Sequence, residues 1–216
     1  MSVVTALIVR SHGRADLSVD GTLLGTVGAD LVARWHLYEG RQLEAPAVEQ
    51  LLTEIAVEDA LADAARFLQR RLRSRAEVER LLSGKSHTQA VVDEALVRLG
   101  SRGLVDDAAF ARAYIADKRR LSGWGRVRIE RGLGEFGVDA EIIAAGLAEA
   151  GFSDDAELQR ALSVLQRKGA PQGPPETAKR RAYQALLRRG FTASVALLAV
   201  RSWYSEAGGG EPDWAP

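Results

Sequence analysis

Leu104-Val105-Asp106-Asp107-Ala108-Ala109-Phe110-Ala111, followed by Tyr114, Arg119-Arg120 and Gly123-Trp124-Gly125, is the stretch on which the fold turns. The paired carboxylates stand where a helix begins, beside its unpaired N–H groups and the positive end of its dipole. Phe110, Ala113, Tyr114 and Leu121 then form one apolar stripe at helical spacing. The Gly-Trp-Gly break ends it. Ile129, Leu133 and Phe136 form a second stripe, and Ile142, Ile143, Gly146 and Leu147 a third. The stretch therefore predicts a unit of three short amphipathic helices.

Read outward, the unit recurs. Glu58-Asp59-Ala60, Asp106-Asp107-Ala108 and Asp154-Asp155-Ala156 lie 48 residues apart, each at an expected helix start. Gly84, Gly137 and Gly190 lie 53 apart, each after a leucine-bearing helix that a left-handed glycine is expected to close. The third copy has stripes at Leu158, Leu162 and Leu165, then Tyr183, Leu186 and Leu187, then Val195, Leu198 and Ala199. A break from Gly169 to Pro175 separates the first two. The first copy has Leu61, Ala65, Leu68 and Leu72, then Val78, Leu81 and Leu82, then Val91, Val92, Ala95, Leu96 and Leu99. Its register is offset, so copies two and three carry the repeat. Small units of this kind complete their cores by stacking, which predicts an elongated, curved array.

The N-terminal part differs. Val3 to Val9 reads as a strand, and Leu17-Ser18-Val19, Asp20-Gly21 and Thr22-Leu23-Leu24 as a hairpin, because Asp-Gly tolerates the positive φ of a tight turn. Leu31, Val32, Trp35 and Leu37 recur with helical spacing, Gly40 is expected to stop that helix, and Pro46 to open another running towards Ile55. The expected organisation is a β-hairpin and helix head over 1–57, helical repeats over 58–105, 106–153 and 154–205, and a tail over 206–216. The fold class is mostly α, with a small β-containing head.

The 216 residues contain no cysteine, which excludes disulfides, iron–sulfur clusters and thiolate zinc sites and fits a reducing cytoplasm. Met1 to Arg10 lacks the basic start and cleavage site of a signal, and no 18-residue apolar run occurs, so neither export nor membrane spanning is expected. Net charge is zero but unevenly spread. Residues 1–57 hold 4 Arg against 7 Asp/Glu, residues 58–205 hold 25 Lys/Arg against 19 Asp/Glu, and 206–216 carry −3. The helical body is the basic part, and arginine dominates it.

Projected at 100° per residue, Arg66, Arg70 and Arg73 fall opposite the first copy's leading stripe, and Arg112 and Arg119 opposite Phe110 and Tyr114. Arg160 and Arg167 follow Asp155 at the offsets, five and twelve, at which Arg112 and Arg119 follow Asp107. Second helices add Arg126, Arg128 and Arg131, and Lys179, Arg180, Arg181, Arg188 and Arg189; Arg120 adjoins Arg119. Each alone reads as a solvated helix face. Together, recurring at equal offsets, they suit periodic phosphates or acidic protein surface. The residues expected to contact a partner are Arg66, Arg70, Arg73, Arg112, Arg119, Arg120, Arg126, Arg128, Arg160, Arg167, Lys179, Arg181 and Arg188.

Phe110, Tyr114, Phe136 and Tyr183 fall on apolar stripes and read as core, Trp203-Tyr204 as the cap of the last repeat, and Trp214 as part of the tail. Trp124, between two glycines, stands apart. The chemistry of an enzyme is missing. His12, His36 and His87 are scattered and read as surface or turn residues; Ser83-Gly84-Lys85-Ser86 lacks a P-loop's first glycine because position 79 is Glu; and helix capping accounts for the recurring acids. No catalytic residue, metal or cofactor is expected.

The run from Leu104 through Tyr114, Arg119-Arg120, Gly123-Trp124-Gly125, Ile129, Leu133 and Gly137-Val138 resembles the signature of the RecX family. Ala64 to Glu77 resembles that family's first repeat, and the Gly40/Leu43 region the β-containing segment of some members. The chain is expected to be a monomer, and the resemblance implies three tandem three-helix repeats and a non-catalytic role in recombination regulation, DNA repair and the SOS response. Its implied partners are the RecA recombinase, the RecA filament, single-stranded DNA and duplex DNA. It implies inhibition of filament growth, ATP hydrolysis and strand exchange. Two departures stand out: the Gly84-Lys85-Ser86-His87 elbow is longer than the usual Lys-Gly turn, and Pro171, Pro174 and Pro175 crowd the last break. A sequence-specific transcriptional regulator would concentrate its basic residues on one base-reading helix, whereas here they spread over three repeats. A helical scaffold that never meets nucleic acid is the other alternative.

Overall fold

Alternating side chains build the head. In the computed structural model, which describes residues 1–207, strands β1 (Ser2–Val9), β2 (Arg14–Val19) and β3 (Thr22–Gly28) form antiparallel pairs, with Leu7 opposite Leu17 and Ala15 opposite Val27. Asp20 and Gly21 take φ of 50° and 80°, the pair of positive values a tight hairpin turn needs. A two-residue strand β4 (Gln42–Leu43) pairs with the start of β1, giving the order β3-β2-β1-β4. Periodicity cannot reveal a strand that short.

Helix α1 (Ala29–Arg34) follows the hairpin. It is not Gly40 that ends it: the chain turns at His36, which takes φ of 49°, and Gly40 instead donates its N–H to the Val4 carbonyl. Leu31, Leu51 and Ile55 pack with Val4, Leu17, Val19 and Val27 to form the core of the head.

Helix α2 runs unbroken from Ala45 to Leu68. Glu58-Asp59 therefore lies inside a helix and starts none, because Val57, Ala60 and Ala64 continue the buried stripe across it. The stripe ends at Leu68, and Leu72 is exposed in the following loop. Helices α3 (Arg75–Gly84) and α4 (Gln89–Ser101) complete the first repeat around Val78, Leu82, Val92, Leu96 and Leu99. Gly84 is still helical; the left-handed residue after α3 is Ser86, with φ of 65°.

The second repeat consists of α5 (Asp107–Ser122), α6 (Arg126–Glu135) and α7 (Ala140–Glu149), and the third of α8 (Asp154–Gln166), α9 (Pro175–Arg189) and α10 (Ala193–Glu206). Asp106 caps α5 by accepting from the Ala109 amide at 2.9 Å, and Ser153 caps α8 with Asp154 and Asp155 in its first turn. Gly137 and Gly190 take the expected left-handed conformation. Phe110, Ile115, Ile129, Leu133 and Leu147 fill one core, with Tyr114 and Phe136 against it; Leu162, Leu165, Leu186, Phe191, Val200 and Trp203 fill the other, with Tyr183 against it. Leu121, Leu187 and Leu198, expected on apolar stripes, are exposed; the third core continues past Leu187 to Phe191 and past Leu198 to Trp203 without including either leucine. The chain divides into two compact units, Met1–Val105 and Asp106–Pro216. Trp214 and the rest of the expected tail beyond 207 lie outside the described residues.

Candidate functional site

Repeats two and three meet through their elbows. The Gly125 amide donates to the Arg189 carbonyl at 2.8 Å, and the Val127 amide to the Gly190 carbonyl at 3.0 Å. Arg189 returns a bond to the Ser122 carbonyl, and Arg128 one to that of Arg188. Glu157, 3% exposed, accepts from the Arg126 amide at 3.0 Å and so caps α6 from the neighbouring repeat.

This junction fixes where α5 and α8 lie, and between them opens a groove of about 530 Å³. Arg119 and Arg120 line it from α5, Arg160 from α8 and Arg167 from the end of α8, and among the described residues no acidic side chain lines it. Ala116, Val164 and Phe191 supply an apolar lining. The equal offsets seen in the sequence thus bring Arg119 and Arg167 to one groove, together with Arg120 and Arg160. Arg119 and Arg160 both lie over the Phe152 ring, at 5.6 and 4.0 Å from its centre. Arg119 also donates to the Ala150 carbonyl at 2.5 Å. Arg160 is mostly buried beside the Glu157 carboxylate. Burial, with the like charge of Arg119 nearby, pulls Arg160 down to about 10, so it remains charged at neutral pH. Its Nε is shut off from solvent and has no hydrogen-bond partner among the described residues. Arg120 and Arg167 are exposed.

The other expected contact residues are placed as follows. Arg112 is exposed, 4.0 Å from Glu149, and lines an adjoining hollow that also contains Arg119. Arg126 pairs with Glu130 at 2.7 Å on the surface, and Arg181 and Arg188 are exposed. Arg128 lies over the Trp124 ring at 4.0 Å, and Lys118 approaches the same ring at 4.9 Å. Trp124 therefore belongs to a cation–aromatic cluster at the edge of the groove that it helps to line. In the first unit Arg66 is exposed beside Asp63, and Arg70 is exposed.

Two expectations need correction. Arg73 is 14% exposed, held by Glu77 at 3.1 Å and the Phe67 ring at 3.9 Å, because α3 folds back over it. Lys179 is buried in the third repeat over the Tyr204 ring, at 4.6 Å, so its methylenes serve the α9–α10 contact. Helical projection does not apply to Arg73, which lies in the loop between α2 and α3, and at Lys179 it is blind to the helix that packs across the projected face.

The sequence reading also missed polar residues of the first unit. His87, expected as a surface or turn residue, is largely buried and hydrogen-bonds Asp63 at 3.1 Å; Lys85 reaches the same carboxylate at 2.9 Å. Glu54 takes both Nη atoms of Arg98, at 3.2 and 3.0 Å. Nothing in their spacing signals these long-range pairs. Among the described residues no group of three or more His, Cys, Asp or Glu is placed to hold a metal, and no helix is long and apolar enough to cross a membrane.

Models of the first, second and third three-helix domains of RecX match residues 60–99, 106–147 and 154–200, together more than half of the chain. The chain belongs to the RecX family. A regulatory protein RecX of Geobacillus kaustophilus is 28% identical over 183 residues, covering 84% of this chain and 68% of the relative. One from Halalkalibacterium halodurans is 28% identical over 170 residues, 79% of this chain and 64% of the relative, and one from Listeria monocytogenes serovar 1/2a is 26% identical over 209 residues, 94% and 76%. The chain thus spans about two thirds of the length of the first two relatives. The fold is shared with a crystal structure of regulatory protein RecX, at a TM-score of 0.73, 17% identity, and coverage of 95% of this chain and 100% of that one. It is shared also with RecX from Lactobacillus salivarius, at 0.60, 20%, 71% and 97%.

Proposed function

We propose that this RecX-family chain is a non-catalytic regulator of the RecA recombinase. Acting as a cytoplasmic monomer, it binds the RecA filament on single-stranded DNA and limits filament growth, ATP hydrolysis and strand exchange. The supporting observation is the groove between α5 and α8, where four arginines from two repeats converge with no acid among them. A concentration of positive charge on a preformed, partly apolar surface suits an acidic protein face or a phosphate backbone. Exposed Arg112, Arg126, Arg181 and Arg188 extend the basic character of the same unit. The basic residues are spread over several helices, which favours backbone or protein contact over sequence readout.

The test is DNA-dependent ATP hydrolysis by the recombinase with the chain added in substoichiometric amounts. The rate falls if the reading holds, and an unchanged rate at equimolar protein overturns it. Reversing charge at Arg112, Arg120 and Arg167, all exposed, weakens filament binding while the chain stays folded.

A further inference from the structure

The groove between α5 and α8 brings Arg119, Arg120, Arg160 and Arg167 together. Its charge is concentrated: Arg119 and Arg160 share the Phe152 ring, none of the lining residues is acidic, and the carboxylate paired with Arg160, that of Glu157, is itself buried. An incoming anion lowers the cost of holding those like charges together. A guanidinium presents paired N–H groups that fit carboxylate and phosphate alike, so charge alone does not decide the ligand.

The uncharged surface decides it. A nucleic-acid strand lying in a groove gains affinity by stacking bases on open aromatic faces. Trp124 already has Arg128 over it at 4.0 Å and Tyr114 against it edge to face, with ring centres 6.5 Å apart. Phe152 carries Arg160 at 4.0 Å. Besides Trp124, the apolar lining is the exposed Ala116 and the edges of the mostly buried Val164 and Phe191, a shallow bed for an aliphatic side chain. The exposed Arg120 and Arg167 then close on carboxylates either side of it.

We propose that this groove seats an acidic protein segment, carboxylates flanking one aliphatic side chain, in preference to a DNA strand. The inference rests on the reading that this unit meets the recombinase filament, and it names the chemistry of the contact.

The experiment is fluorescence anisotropy at low salt with the full chain. The probes are a labelled Glu-Asp-Glu-Leu-Asp-Glu peptide, the same peptide with Ser in place of Leu, and labelled oligo-thymidine of comparable charge. The leucine peptide binds, and its serine form binds about tenfold more weakly, the loss expected when one buried aliphatic side chain is removed. Arg120→Glu with Arg167→Glu abolishes peptide binding and changes oligonucleotide affinity less than twofold. Equal binding of the two peptides overturns the proposal, as does no peptide binding. Oligonucleotide affinity that collapses in the double variant makes the groove a nucleic-acid site and also overturns it. The same variant is assayed for inhibition of recombinase ATP hydrolysis. A wild-type chain that inhibits but binds no peptide leaves the regulatory reading standing and removes this one; a wild-type chain that does not inhibit removes the regulatory reading itself.

Discussion

Gly125 and Gly190 touch backbone to backbone: a Cβ added at Gly125 would sit 2.5 Å from the Gly190 carbonyl oxygen, and one added at Gly190 2.3 Å from the Cβ of Arg128. Two elbows, 65 positions apart in the chain, are joined through main-chain atoms, and four hydrogen bonds cross with them. The arginines of α5 and α8 share a groove because this junction holds the two repeats together.

Gly125→Ala tests that junction. Gly125 has φ of −83°, which any residue adopts, so the cost of alanine there is steric and falls on backbone that cannot swing away. Urea unfolding is expected to show a loss of about 2 kcal/mol or more, as crossing hydrogen bonds are lengthened. Gly151→Ala is the control: φ is +69° with open space around it, and the expected cost is about 1 kcal/mol. Equal losses at the two sites would remove the junction's special role.

The first-unit arginines separate into structural and exposed. Arg73→Ala removes the Glu77 pair and the cover over Phe67, so the midpoint of thermal unfolding falls, while the folded protein keeps its filament affinity. Arg70→Ala, at an exposed position, changes the stability by no more than about 0.5 kcal/mol. A loss of filament affinity in folded Arg73→Ala would place that residue at the contact after all.

The recurrence of Asp106-Asp107 and Asp154-Asp155 made the helix starts of α5 and α8 legible, and Asp20-Gly21 made the hairpin legible, because each depends on a few neighbouring residues. The same logic failed at Glu58-Asp59, where similar residues lie inside α2: propensity for a cap yields to a buried stripe that continues past it. A signal for α3 was present and unread, since Ser74 and Glu77 form a reciprocal capping box. Of the groove, the sequence offers the arginine offsets but not the junction that brings Arg120 and Arg160 into it. Gly125 against Gly190 is a long-range contact, and periodicity along one helix carries no information about which other helix lies opposite.

The first unit is expected to lose stability in acid through Glu54. Hydrogen bonding to Arg98, aided by the charges of Arg98 and Arg34, holds the Glu54 carboxyl below its ordinary value of 4.5 despite partial burial. A carboxyl depressed by folding contributes stability that is present above the unfolded value and is lost as pH falls through the folded one. Chemical denaturation between pH 7 and pH 3 is therefore expected to show a decline beginning near pH 4.5, shallower in Glu54→Gln. An identical slope in the variant would take Glu54 out of the acid response.

Glu157 lies behind the groove, and its removal separates stability from binding. It is 3% exposed, accepts from the Arg126 amide and neighbours the mostly buried Arg160. Taking away one member of a buried pair leaves the other charge uncompensated, at a cost of about 3 kcal/mol. Glu157→Ala is thus expected to destabilise the second unit strongly, with the α6 cap lost and Arg160 released towards Arg119. Glu157→Gln keeps an acceptor for the Arg126 amide while removing the charge, so it isolates the electrostatic part. In that variant the groove becomes more positive, and its affinity for an acidic peptide rises at low salt while unfolding shifts to lower urea. A fall in peptide affinity with the fold intact would mean that Glu157 positions Arg160 for the ligand, and that its negative charge does not compete with the ligand's.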